Sequence, residues 1–113
     1  MSFAFDRATY RIPYPPQARP RFYLDGAALE VVDCSETGLR YVAPHGKPLP
    51  EPETRLVGEV RLLSKPDRLS IEGQVLRCYG NEVALLLDKP GIPLQAIFGE
   101  QRYLARRFPA RYR

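Results

Sequence analysis

Apolar residues along this chain recur in short runs that are separated by turn residues, a pattern typical of β-strands rather than of long helices. The runs that predict strands are 19–24, 28–33, 38–43, 55–63, 68–79 and 82–88. Between the first two runs, Asp25-Gly26 favours a two-residue hairpin turn, because both residues tolerate positive φ. Residues 44–54 contain four prolines and predict a loop, since proline cannot donate a hydrogen bond to a sheet.

The longest run, 68–79, alternates imperfectly between apolar and polar residues. Gly73 in its middle predicts a bend or a bulge, which a small barrel needs where its strands curl.

The C-terminal segment LQAIFGEQRYLARRF has a helical rather than a strand period, and it predicts a helix over about residues 93–108. Its apolar positions are Leu94, Ile97, Phe98, Leu104 and Phe108. The charged residues between them are Glu100, Arg102, Arg106 and Arg107. The basic residues in the last turn suit the negative end of the helix dipole. Gly99 weakens the helix by about 1 kcal/mol relative to alanine.

Six short strands without intervening helices predict a small antiparallel barrel or sandwich, with the terminal helix covering one opening or face. A chain of 113 residues that is 44% hydrophobic is long enough for one core. We therefore predict an N-terminal arm over residues 1–17 and a single β-domain over residues 18–113. The arm has little to bury and three prolines near its end, so we expect it to be mobile without a partner.

The charge balance, 17 basic against 13 acidic residues, mildly favours an anionic partner. No apolar run approaches the roughly 20 residues that cross a bilayer. The N-terminus also lacks the apolar core of a signal peptide. These features predict a cytoplasmic protein.

Catalytic and metal-binding chemistry have little support in this sequence. Cys34, Cys78 and His45 have no zinc-binding spacing, and two cysteines fit a reducing compartment. Asp33 and Ser35 have no nearby base with which to form a triad. We expect neither an enzyme nor a metal site.

Two short motifs stand out against this background. RATYR places Arg7 and Arg11 four residues apart, and DCSETG has the spacing D-x-S-x-x-G. Taken separately, the first is equally typical of a solvated arm and the second of a self-capping turn. Their combination, in this order and before a β-rich domain, is much more specific.

With both motifs in this order, the sequence resembles the PilZ family, bacterial receptors for the second messenger cyclic di-GMP. The resemblance implies a six-stranded antiparallel barrel followed by a helix, and a single-domain adaptor with no separate effector domain. It implies that the ligand is bound by the two motifs, at Arg7, Arg11, Asp33, Ser35 and Gly38. Arg77 and Tyr79, late in a strand, are possible additional contacts.

The chemistry of these residues suits the ligand that the resemblance implies. An arginine fork matches phosphate oxygens or the O6 and N7 edge of guanine. Asp33 supplies an acceptor for the N1–H and N2–H₂ donors of guanine, and Ser35 adds a second contact. Gly38 allows the backbone to turn and to approach the ligand closely. Cys34, between the motif residues, is expected to point into the barrel.

The family resemblance also implies a partner protein, in motility, adhesion or polysaccharide secretion, that responds when the ligand orders the arm. Members of this family often carry a basic residue at the position of Asp6. The carboxylate found here leaves open whether one or two ligand molecules bind. One alternative is a PilZ-fold interaction protein that binds no nucleotide. A less favoured one is a nucleic-acid-binding barrel that uses the basic C-terminus, with Tyr103 and Tyr112 as stacking platforms.

Overall fold

The computed structural model describes residues 11–111, which form seven strands and one helix. The strands are β1 Ile12–Pro13, β2 Arg21–Leu24, β3 Ala27–Cys34, β4 Gly38–Val42, β5 Arg55–Arg61, β6 Leu69–Tyr79 and β7 Glu82–Leu87. The helix α1 spans Leu94–Arg107. All six predicted strands and the predicted helix are present, with ends that differ by up to two residues.

Strands β2 to β7 form a closed antiparallel barrel in the order β3-β2-β5-β6-β7-β4, and β4 pairs again with β3. The prediction of a six-stranded barrel is confirmed, and the sandwich alternative is wrong. The short β1 pairs with the end of β3, with Ile12 opposite Cys34 and Pro13 opposite Asp33. This pairing brings the end of the arm to the DCSETG segment.

The hairpin between β2 and β3 has the turn that its sequence favours. Asp25 and Gly26 have φ values of 50° and 83°, and Leu24 pairs with Ala27 across them. Positive φ at both central residues is the mark of a type I′ turn, whose twist matches that of the flanking strands.

The core fills the barrel and extends under α1. Phe22 and Tyr41 pack inside the barrel with ring centroids 5.1 Å apart, and Ile97 and Leu104 of α1 are fully buried. Ile12 and Tyr14 belong to the same core. The prediction that the arm has little to bury is therefore wrong at its C-terminal end. Residues 1–10 of the predicted arm lie outside the described part of the chain.

Glu100, one of the charged residues between the apolar positions of the helix, is fully buried. Its Oε1 accepts hydrogen bonds from the Tyr14 hydroxyl at 2.6 Å and the Leu63 N–H at 3.0 Å. Its Oε2 accepts one from the Ser64 N–H at 2.7 Å. These three donors compensate for the desolvation of the carboxylate. They join the arm, the β5–β6 loop and α1 at one point.

The irregularity predicted in the sixth strand is present but lies further along it. Gly73 continues the regular ladder, and the bulge falls between Val75 and Arg77. A Cβ at Gly73 would overlap the Leu86 carbonyl oxygen, so the glycine allows close approach of β7 rather than a bulge.

Two buried acids near Glu100 predict a loss of stability in alkali. Burial raises the pKa of the Cys34 thiol from 9.0 to about 12, and burial beside Cys34 and Glu100 raises the pKa of Tyr14 above its ordinary value. The unfolded chain therefore releases these protons at lower pH than the folded chain. The free energy of unfolding should be constant up to about pH 9 and should fall from there toward pH 12.

Urea denaturation between pH 7.5 and 11 measures this decline. Tyr14→Phe is the matched variant, because it removes one titrating group while keeping the ring. It should lose roughly 1 kcal/mol at pH 8 through the lost hydrogen bond, yet decline less steeply in alkali. A stability profile of Tyr14→Phe parallel to that of the native chain would contradict the assignment.

Candidate ligand-binding cleft

The DCSETG segment forms a tight turn between β3 and β4 that closes on itself. The Ser35 N–H donates to the Gly38 carbonyl oxygen at 2.8 Å, and the Thr37 N–H donates to Ser35 Oγ at 3.3 Å. The Ile92 N–H bonds the Glu36 carbonyl oxygen at 3.0 Å, from the segment that leads into α1. The turn is thus fixed from within by a serine side chain and from outside by the chain after β7.

A bulge in β3 determines where Asp33 points. Val31 pairs with Tyr41 and Asp33 with Arg40, so Val32 is the extra residue. Strict alternation from Val31 would turn Asp33 into the barrel. The extra residue instead places it beside Arg40 on the outer face and turns Cys34 inward, where it is fully buried. The prediction that Cys34 points into the barrel is confirmed.

The Asp33 carboxylate is held between two guanidinium groups. Asp33 Oδ1 lies 2.8 Å from Arg11 Nη1, and Oδ2 lies 2.5 Å from Arg40 Nη2. Only 3% of the Asp33 side chain is exposed, against 50% for Arg11 and 35% for Arg40. The carboxylate is therefore buried behind the two arginines that it orients, and these face solvent.

The second bulge, in β6, places Arg77 and Tyr79 on the same outer face. Leu76 is the extra residue opposite β7. Regular alternation from Val75 would point Arg77 and Tyr79 into the barrel, whereas the bulge turns them outward. The Arg77 guanidinium lies 5.8 Å from the centre of the Tyr79 ring, which is exposed. The irregular alternation of the sequence in this strand is the trace of that bulge.

These side chains line one cleft of about 340 Å³ on the outer face of the barrel. Of the residues that the sequence singled out, those in its wall are Arg11, Asp33, Gly38, Arg77 and Tyr79. Ser35 lies behind the wall, where it caps the turn. Arg7 lies outside the described residues.

Gly38 contributes space rather than backbone freedom. Its φ is not positive, so the turn does not demand glycine there. A Cβ on Gly38 would lie 3.6 Å from Ser35 Oγ and 4.0 Å from Arg11 Nη2. The missing side chain leaves the floor of the cleft open between these two groups.

Arg40 and Glu82 line the cleft but were not singled out by the sequence. Arg40 lies between the buried Leu39 and Tyr41, so its outward direction could have been read from the alternation in β4. Its contact with Asp33 depends on the bulge in β3. Glu82 opens β7 and lies 3.5 Å from Arg40 Nη1.

The two cysteines and the histidine do not meet. Cys34 Sγ lies 3.6 Å from the Tyr14 hydroxyl, Cys78 contacts the Pro50 carbonyl oxygen, and His45 is exposed in the proline-rich loop. Within residues 11–111, no group of three or more histidine, cysteine or acidic side chains is placed to hold a metal ion. No helix in that range is both long enough and apolar enough to span a bilayer.

Comparison with known families gives the cleft a context. The sequence model of the PilZ domain matches residues 5–96, which is most of the chain and includes both motifs. The chain belongs to the PilZ domain family. PilZ domains form a family of receptors for cyclic di-GMP and act as receptor or adaptor domains rather than as enzymes.

Among solved structures, the crystal structure of an uncharacterised protein from Legionella has the same fold. It is 18% identical in sequence, with a TM-score of 0.53, and the alignment covers 91% of this chain and 98% of that one. Identity at this level supports the PilZ-like fold alone. No curated protein gives a significant match.

A substitution at Gly91 tests how far the DCSETG turn of this PilZ domain depends on its contact with the segment that leads into α1. Gly91 has φ +67°, and a Cβ there would overlap the Glu36 carbonyl oxygen of the turn. Gly91→Ala should lower the free energy of unfolding by about 3 kcal/mol in total, from backbone strain and the overlap.

Gly80→Ala is the matched control, since Gly80 has φ +57° and no atom of the described residues lies within 4 Å of an added Cβ. It should cost only the backbone strain, roughly 1–2 kcal/mol. Equal losses for the two variants in thermal or urea denaturation would show that the contact with the turn is unimportant.

Proposed function

We propose that this PilZ chain is a receptor for cyclic di-GMP, which binds in the cleft beside the DCSETG turn. The observation that carries the proposal is the convergence of Arg11, Arg77 and Tyr79 around Asp33, from three separate parts of the chain. The two arginines suit a phosphate or the edge of a guanine, and the tyrosine ring suits a stacked base.

The charges of the cleft favour an anionic ligand. Three arginines, Arg11, Arg40 and Arg77, face two carboxylates, Asp33 and Glu82. Cyclic di-GMP carries two phosphates, each with one negative charge, that a guanidinium can bind through paired hydrogen bonds. Burial of Asp33 makes its two ion pairs less screened by solvent than surface pairs, so the arginines are held in place before the ligand arrives.

In this proposal, the first role of Asp33 is to hold Arg11 and Arg40 in position. Its oxygens accept from guanidinium groups and only 3% of its side chain is exposed, so a guanine reaches this carboxylate only when Arg11 or Arg40 shifts. Arg11, half exposed and just before the short β1, is the partner with more freedom to move toward a phosphate. The ligand then replaces one charged partner of Arg11 by another.

The N-terminal arm would transmit the signal to a partner protein. Arg7 and Arg11 close over the ligand, and the ordered arm with the occupied cleft forms a surface for a partner protein. The family resemblance favours partners in motility, adhesion or polysaccharide secretion, and a cytoplasmic location.

The Arg11–Asp33–Arg40 contacts also favour a second candidate. The same ion pairs tie β1 to the barrel and would serve a PilZ-fold interaction protein that binds no nucleotide. Titration with the ligand separates the two candidates.

Isothermal titration calorimetry with cyclic di-GMP, and with GTP and GMP as controls, tests the proposal. The native chain should bind cyclic di-GMP saturably, and Arg11→Ala and Asp33→Ala should each weaken binding at least tenfold, because each removes a charged hydrogen-bond partner. Arg55→Ala is the matched control, since Arg55 pairs with Glu72 and Asp88 away from the cleft. No heat from the native chain at high ligand concentration would favour the interaction protein.

Arg40→Ala is a separate prediction, because only the three-dimensional arrangement identifies this residue. Loss of its contact with Asp33 and of its charge should raise the Kd for cyclic di-GMP by about tenfold. Circular dichroism should show an unchanged fold. An affinity equal to that of Arg55→Ala would exclude Arg40 from the site.

A further inference from the structure

The β6–β7 hairpin presents an aromatic ring and a carboxylate side by side at the edge of the cleft. Tyr79 and Glu82 are directly paired across the hairpin, and both line the cleft. Tyr79 is 68% exposed, the highest exposure among the large hydrophobic side chains of the described residues. The Arg77 guanidinium lies 5.8 Å from the centre of the same ring.

Glu82 is the carboxylate of this cleft that has acceptor capacity to spare. Both oxygens of Asp33 are taken by arginines, and its side chain is 3% exposed. The Glu82 side chain is 30% exposed, and among the described residues its single ion pair is a 3.5 Å contact from Oε1 to Arg40. Its other oxygen, Oε2, accepts no hydrogen bond and forms no ion pair within residues 11–111.

These three side chains match the surfaces of a guanine base. A flat exposed ring is a stacking platform for a purine. An arginine fork suits the O6 and N7 acceptors, and a carboxylate suits the adjacent N1–H and N2–H₂ donors. We propose that Glu82 is the specificity-determining residue of the cleft, which accepts the N1–H and N2–H₂ donors of a guanine stacked on Tyr79. This inference rests on the proposed function and assigns the base-reading part of the same site.

The carboxylate gives the cleft a means to reject adenine. Adenine has a lone pair at N1 and no amino group at C2, so it offers no donor pair to Glu82. Its N1 lone pair would face the carboxylate instead, and a buried acceptor left without a donor costs binding energy. Cyclic di-GMP should therefore bind better than cyclic di-AMP, although both carry the same two phosphates.

Calorimetric titration of the native chain and of Glu82→Gln with both cyclic dinucleotides tests the inference. Glutamine keeps the size of the side chain but replaces one acceptor oxygen by a donor and removes the charge. Glu82→Gln should bind cyclic di-GMP at least tenfold more weakly, with little loss toward cyclic di-AMP, so that the ratio of the two affinities falls toward one. Glu72→Gln is the matched control, because Glu72 is an exposed carboxylate on β6 that pairs with Arg55 outside the cleft.

The other outcomes overturn the inference in distinguishable ways. Tighter binding of cyclic di-GMP by Glu82→Gln would show that Glu82 only repels the phosphates. Equal losses for both dinucleotides would show a structural role through Arg40. Binding of neither dinucleotide by the native chain would overturn the proposed function itself, and the guanine subsite with it.

Discussion

The arrangement of the cleft depends on one buried carboxylate held between two arginines. Asp33 connects Arg11, which precedes the short β1, to Arg40 in β4. A single carboxylate therefore forms ion pairs with two elements that are separated in sequence. Removal of one member of such a group leaves a buried charge without its partner, which is more costly than the pair is stabilising. The geometry of the site and the attachment of the arm to the barrel are therefore consequences of the same contact.

Asp33 occupies that position because the barrel is irregular at two places. The extra residue Val32 turns Asp33 outward, and the extra residue Leu76 does the same for Arg77 and Tyr79. Each bulge reverses which side chains of its strand point inward, just before a residue that lines the cleft. The barrel below the bulges is a regular packed core, and the polar side chains gather where that regularity stops.

Strand positions, the hairpin at Asp25-Gly26 and the terminal helix follow from local patterns, and the sequence predicted them closely. The bulges could not be located in the same way, since an extra residue is defined only against the partner strand, and Gly73 was the more visible signal. Glu100 lies three residues after Ile97 and four before Leu104, on the apolar face of the helix. A carboxylate can be buried there because Tyr14, Leu63 and Ser64 supply its donors, which the sequence pattern does not reveal. Of the residues that line the candidate cleft, the motifs predicted Arg11, Asp33 and Gly38, and Arg77 and Tyr79 were predicted as additional contacts. Arg40 and Glu82 become apparent only when the barrel closes.

The hydrogen bond between Tyr14 and Glu100 joins residues that are 86 positions apart in the chain. Tyr14 precedes the barrel strands and Glu100 lies in α1 after them, so this hydrogen bond cannot form until almost the whole domain is available to fold. Contacts of such long sequence separation form late, because the loop between them must close first. Most neighbouring strands of the barrel are consecutive in the chain. The two pairs that are not, β2 with β5 and β4 with β7, still pair over shorter separations than the 86 positions between Tyr14 and Glu100. Tyr14 is therefore fixed against α1 late in folding, after the barrel strands have paired.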